Sequence, residues 1–201
     1  MKNATKLFLS GLFALAITSS VFALETGAKA PDFTLNDTTG TMHNLSDFKG
    51  KYVVLEWTNH QCPFVKKFYS QGDMQSLQKE MTGDGVVWLQ IVSSAEGKQG
   101  YVTAEAGESL RSANGHNSTA MLLDPSGEVG KTYSAKTTPH MFLIDPDGTL
   151  IYQGAIDSKK STKAADIAGA TNYVKAAYTS AKVGEPIEKP STPPYGCSVK
   201  Y

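Results

Sequence analysis

Two residues of this 201-residue chain can do sulfur chemistry, Cys62 and Cys197. Cys62 lies in WTNHQCPFVKK, directly after the apolar run KYVVLEW. That run is compact and β-branched, as a buried central strand requires, and Pro63 suits the first turn of a helix. A cysteine at such a junction meets unpaired backbone N–H groups and the positive end of the helix macrodipole, both of which favour thiolate over thiol. Lys66 and Lys67 add positive charge nearby and are expected at the solvated surface, contributing modestly. Cys62 is therefore a candidate redox nucleophile, provided incoming molecules can reach it.

The compartment decides how the second cysteine is read. Residues 1–23 carry Lys2 and Lys6, then the apolar LFLSGLFALAI, then Val21-Phe22-Ala23, the pattern of a cleavable export signal. The apolar run is too short to span a bilayer, so a periplasmic or secreted protein without stable membrane insertion is expected. An oxidising compartment favours disulfides, and two cysteines permit one intramolecular bridge. In the chain-entropy model such a long loop would stabilise the fold by roughly 5 kcal/mol. A Cys62–Cys197 bridge, two separate thiols and intermolecular bridging all remain open. With 19 basic and 19 acidic residues the formal charge is zero, which gives no electrostatic footprint for nucleic acid.

The elements around these cysteines read as α/β. Alternation near Phe33 to Leu35 breaks at Thr38-Thr39-Gly40 and resumes at Met42, the pattern of an N-terminal hairpin. A helix from Pro63 to about Tyr69 is followed by a second through Met81, capped by Asp73. VVWLQIV, AMLLD, MFLID and TLIYQG predict further strands, the last two joined at Pro146-Asp147-Gly148. Helices are expected over Tyr101 to Ala113 and Gly127 to Ser134, and a long amphipathic one over Thr162 to Lys182. Beyond Lys182 the proline-rich GEPIEKPSTPPYGC argues for an extended tail, residues 183–201, behind a domain spanning 24–182.

In this order the strand, WTNHQCPF, the helix, TTPHMFLID, a hairpin and a final helix resemble the thioredoxin fold as elaborated in the peroxiredoxin-like or redoxin (AhpC/TSA-related) group. The opening phrase APDFTLNDTTGTMHNLSDFKGKYVVLEW is similar to that group's, and the resemblance covers roughly residues 25 to 182. It implies a mixed central sheet flanked by helices. It places Cys62 at the first cysteine of a Cys-x-x-Cys motif, with Val65 in place of the second. It matches Thr138-Pro139 to the threonine and cis-proline that face the active cysteine and bind an extended substrate backbone. His60, Pro63 and Lys66 support the site. The group's peroxidase pattern, Pro-x-x-x-Thr-x-x-Cys with a later arginine, is not met. Leu55 and Asn59 stand at the proline and threonine positions, Pro139 where the arginine is expected, and Arg111, the sole arginine, lies elsewhere.

Cys197 can supply the missing resolving thiol. About 15 extended residues reach on the order of 50 Å, against a domain radius of gyration near 15 Å. The expected function is an exported thiol-disulfide oxidoreductase with protein or small-molecule thiols and disulfides as partners, no cofactor, and weak peroxidase activity as a variant. A second reading has the fold without catalysis, either stapled by the disulfide or binding copper or zinc through His60, Cys62, His140 and Cys197. His43 and His116 are expected to be ordinary surface residues, and Trp57 and Trp88 core or rim aromatics.

Overall fold

The computed structural model describes residues 24–201, and the expected export signal at 1–23 lies outside the described residues. Its centre is a seven-stranded mixed sheet built, from edge to edge, of Met42–Asn44, Thr34–Asp37, Ala120–Leu123, Val87–Val92, Val53–Trp57, His140–Ile144 and Leu150–Gly154. β1 (Thr34–Asp37) and β2 (Met42–Asn44) form the expected hairpin. β1 also pairs with β5, so the hairpin continues the main sheet rather than standing apart from it. β3 (Val53–Trp57) runs parallel to β4 (Val87–Val92), which is parallel to β5 (Ala120–Leu123). β3 is buried along its whole length, which explains its apolar reading, broken only by Glu56.

α1 (Pro63–Tyr69) and α2 (Asp73–Gly83) connect β3 to β4. The N-cap of α2 is Gly72 at φ +86°, not Asp73, because the chain must turn through the left-handed region that glycine enters without a Cβ clash. α3 (Ala104–Ala113) begins three residues later than its pattern predicts, where the Thr103 hydroxyl accepts the Ala106 N–H. α4 (Glu128–Thr132), a short β6 (Thr137–Thr138), then β7 (His140–Ile144) and β8 (Leu150–Gly154) follow. α5 (Tyr173–Lys182) is half the expected length. Its predicted first half is irregular, with a single 3-10 turn at Ala164–Asp166, and the helix starts where the Asn172 side chain accepts the Lys175 N–H.

Period-two alternation along β3 divides the core. Val53, Leu55 and Trp57 pack with Phe33, Tyr133 and Phe142 on one face. Val54 faces the other way, with Phe68 of α1, Met74 and Met81 of α2, and Val174 of α5. Trp57 and Trp88 are both core residues.

The tail is extended, as its prolines require, yet it is laced to the domain rather than free. The Thr192 amide bonds to the Gln153 carbonyl, and its hydroxyl accepts from the Ala155 N–H. β9 (Cys197–Ser198) pairs antiparallel with β6, and Tyr201 donates to the Ala135 carbonyl at 2.7 Å.

Candidate functional site

Local backbone chemistry sets the position of Cys62. The Asn59 side-chain oxygen accepts the Gln61 N–H at 2.9 Å, and the Asn59 carbonyl accepts the Cys62 N–H at 3.0 Å, tightening the turn after β3. Cys62 is the N-cap of α1, Pro63 occupies the first turn, and the Cys62 carbonyl takes the Val65 and Lys66 amides. The sulfur thus stands at the positive end of α1, as the sequence predicts.

Across from it, the Thr138–Pro139 peptide bond is cis and the Thr138 carbonyl oxygen lies 3.2 Å from the Cys62 sulfur. Cys62 and Cys197 form a disulfide with a Cα–Cα distance of 6.0 Å. Cys197 also pairs with Thr138 across the β6–β9 ladder. Gly196, at φ +146°, passes so close to this strand that any Cβ would overlap the Thr138 carbonyl. Thr138 itself is buried, and its hydroxyl has no hydrogen-bond partner among the described residues.

The expectation that Cys62 lies open to incoming molecules is corrected here. Cys62 is fully buried and bonded to Cys197 of the tail, and the half-buried Cys197 is the outer member of the pair.

Lys67 is a second correction. Its side chain is fully buried, not solvated, and its Nζ donates to Asp157 at 2.8 Å, to the Lys159 carbonyl at 2.9 Å and to the Tyr195 hydroxyl at 3.4 Å. Those three bonds use every donor of an ammonium group. Tyr195 in turn donates to Asp157, and its ring meets Phe64 edge-on at 5.8 Å between centroids. Burial first, and then the Asp157 carboxylate, push the Tyr195 phenol well above its ordinary pKa. Sequence inspection passed over this cluster, although Lys67 falls between Phe64 and Phe68 on the stripe that a helix turns inward.

Behind α1 lies a polar network, also unforeseen. Glu56, in the middle of buried β3, accepts from Tyr69 at 2.7 Å, Trp88 Nε1 at 2.8 Å and Gln78 at 3.3 Å. Burial drives its carboxyl above the usual range despite these bonds. A charged residue inside an otherwise apolar strand was the signal in the sequence. Gln90 extends the network from Tyr69 to His116. A cavity of about 350 Å³ opens beside it, lined by His60, Lys66, Tyr69 and His116 among largely apolar neighbours.

His116 is therefore not an ordinary surface residue, since burial and then Arg111 hold its pKa at about 4. His60 is lowered too, by burial and then by Lys66. His43 is bonded to Asp37 at 2.8 Å. His140 is buried against Phe142 and accepts the Lys136 amide, and burial followed by Lys136 depresses it to about 3. No cluster of three or more His, Cys, Asp or Glu among the described residues is arranged to hold a metal ion, and both sulfurs are bonded to each other. The set of His60, Cys62, His140 and Cys197 does not assemble as a copper or zinc site. Asn59, at the peroxidase threonine position, is buried and bonded to the Gln99 carbonyl at 3.2 Å.

Comparison with known proteins agrees with this fold. The AhpC/TSA family matches residues 26–153. The thiol-disulfide oxidoreductase ResA of Bacillus subtilis is 29% identical over 163 residues, which is 75% of this chain and 86% of the relative. A ResA from Bacillus cereus is 28% identical over 73% of this chain and 82% of its own. Among solved structures, a hypothetical protein of Sinorhizobium meliloti superposes with a TM-score of 0.75 at 25% identity, covering 90% of this chain and 96% of the other. No helix of the described residues is long and apolar enough to cross a membrane.

Proposed function

We propose that this chain, which belongs to the AhpC/TSA family, is an exported thiol-disulfide oxidoreductase in which Cys62 is the nucleophile and Cys197 the resolving thiol. The observation that carries the reading is the Cys62–Cys197 bond at the start of α1, opposite Thr138 and the cis Pro139. The ResA relatives are thiol-disulfide oxidoreductases by name, which supports the same chemistry.

In the reduced chain the Cys62 thiolate attacks one sulfur of a substrate disulfide. A Cys62–substrate bond forms, the substrate bond breaks, and the other substrate sulfur leaves as a thiolate with the electron pair. The Cys197 thiolate then attacks the Cys62 sulfur, closing the intramolecular disulfide and releasing the second substrate thiolate. The substrate gains two electrons and the cysteine pair loses them, and an external thiol donor reduces the pair for the next cycle.

Each supporting residue has a separate role. α1 stabilises the Cys62 thiolate through the positive end of its macrodipole, and the exposed Lys66 adds positive charge. Pro63 fixes the first turn of that helix without spending an N–H. Thr138 and Pro139 hold an extended substrate strand, and His60, kept neutral by burial, lines the neighbouring cavity. Residues 24–182 make the catalytic domain, 183–201 the tail that carries Cys197, and 1–23 the export signal. Protein or small-molecule disulfides are the substrates.

The test is turnover of a disulfide substrate with dithiothreitol as donor. Cys62→Ser abolishes it, reduced Cys197→Ser mixed with the substrate disulfide in the absence of dithiothreitol accumulates the mixed disulfide on Cys62, and undiminished turnover by Cys62→Ser would overturn the assignment.

A further inference from the structure

The tail does more than deliver a thiol. Tyr195, Gly196 and Cys197 fill a trough whose floor is built from residues far away in the chain. At one end, Thr138 pairs with Cys197 through the backbone. In the middle, the Gly196 position admits no Cβ without striking the Thr138 carbonyl. At the other end, the Tyr195 hydroxyl accepts from Lys67 and donates to Asp157, beside Phe64. Lys67 and Asp157 have almost no solvent contact, with side-chain exposures of 0% and 2%. When the tail departs, one donor of the buried ammonium and one acceptor position on the carboxylate lose their partner together. A hydroxyl that both accepts and donates restores both, whereas a phenyl ring restores neither.

We propose that this trough is a recognition site for extended polypeptides in which a reactive cysteine follows glycine and, two positions earlier, a tyrosine, and that the chain's own tail occupies it as a tethered competitor. The inference rests on the redox reading of Cys62 and adds the class of protein substrate that reading leaves open. Recognition uses strand addition at Thr138 for register, a glycine for close passage, and the Lys67–Asp157 pair for the phenol. Reduction of Cys62–Cys197 frees the tail from its covalent hold, and the trough then admits a competing segment.

The full-length Cys197→Ser chain, reduced at Cys62, tests this with synthetic peptides Pro-Pro-Tyr-Gly-Cys-Ser-Val whose cysteine is joined to thionitrobenzoate. The Cys62 thiolate attacks the peptide sulfur, the Cys62–peptide disulfide forms, and thionitrobenzoate leaves as a coloured thiolate that reports the rate. The tyrosine peptide is expected to react faster than its phenylalanine counterpart by on the order of tenfold to a hundredfold, the effect of one hydrogen bond to a charged group. A Tyr-Ala-Cys peptide is expected to be slowed as well. Adding Tyr195→Phe to the Cys197→Ser chain weakens self-occupation and speeds every peptide. Equal rates for the tyrosine and phenylalanine peptides, with Cys62 still reacting with dithiobis(nitrobenzoate), would overturn the recognition site and leave the redox reading standing. No acceleration by Tyr195→Phe would overturn the tethered competitor. Failure of Cys62 to react with any disulfide would overturn the redox reading and this inference with it.

Discussion

Cys197 is held twice against the same neighbourhood: its backbone pairs with Thr138, and its sulfur is bonded to Cys62 at the head of α1. The backbone pairing aligns the tail with the strand that precedes cis Pro139, so the sulfur arrives beside Cys62 without a search by a loose arm. The tail residues on either side, Thr192, Tyr195 and Tyr201, are fastened by their own hydrogen bonds. The tail thus holds the Cys197 sulfur beside Cys62 through contacts that do not depend on the disulfide alone.

Thiol counting on the denatured protein should find no free thiol before reduction and two after it. Because the bridge spans 135 residues, the chain-entropy model gives a loss of up to roughly 5 kcal/mol on reduction, read as a lower denaturant midpoint. A reduction potential below about −300 mV would identify the bond as a structural staple, and a higher one as the exchangeable bond of an enzyme.

Gly196→Ala tests the close passage beneath Thr138. A methyl group there overlaps a backbone oxygen that cannot rotate away, so the tail must lift from β6. In the reduced state the variant should be cut by chymotrypsin after Tyr195, which is buried in the seated tail, several-fold faster than the parent. Equal cleavage rates would show that the tail is not seated as described.

Lys67→Met leaves Asp157 buried without its cation and should cost about 3–5 kcal/mol. The double substitution Lys67→Met with Asp157→Leu removes the charge problem altogether and should recover most of that loss. Denaturant unfolding of the four members of this cycle gives the coupling directly.

Glu56→Ala strands the Trp88, Tyr69 and Gln78 donors in the core. Each unsatisfied donor costs about 1–3 kcal/mol, so the variant should be among the least stable single substitutions. Glu56→Gln keeps an acceptor in place and should lose much less. Thermal melts of the two variants separate loss of hydrogen bonds from loss of a carboxyl group.

Acid should destabilise the protein first through its histidines. His116 is held at about 4 and His140 at about 3 in the folded chain, below the ordinary value of about 6.5. Between these limits the unfolded chain binds protons that the folded chain refuses, so stability falls as pH drops from about 6.5 towards 4, by up to about 1.4 kcal/mol per pH unit for each group. Glu56, shifted upward, acts in the opposite sense above the normal carboxylate range. His116→Gln should flatten the stability profile over this window relative to the parent, and an unchanged slope would contradict the lowered pKa of the half-buried His116.

The apolar runs around Leu55, Leu89 and Leu143 revealed the central strands in the sequence because a strand buried on both faces is dominated by apolar residues, with Glu56 and Gln90 as bonded exceptions. Cys62 at a helix start was equally legible, since Asn59, Cys62 and Pro63 set that turn among themselves. The first half of the expected helix at Thr162 to Lys182 was not, because its alanines favour a helix locally while the helix in the fold starts only after the Asn172 cap. Amino-acid order alone thus placed a cysteine where backbone dipoles favour a thiolate, using contacts between near neighbours. Tertiary structure decided who meets it: Lys67 bonds to Asp157, 90 residues away, and to Tyr195, 128 away. Such pairings depend on where the chain returns across the sheet, and burial turns a lysine that reads as solvated into the anchor of the tail that carries Cys197.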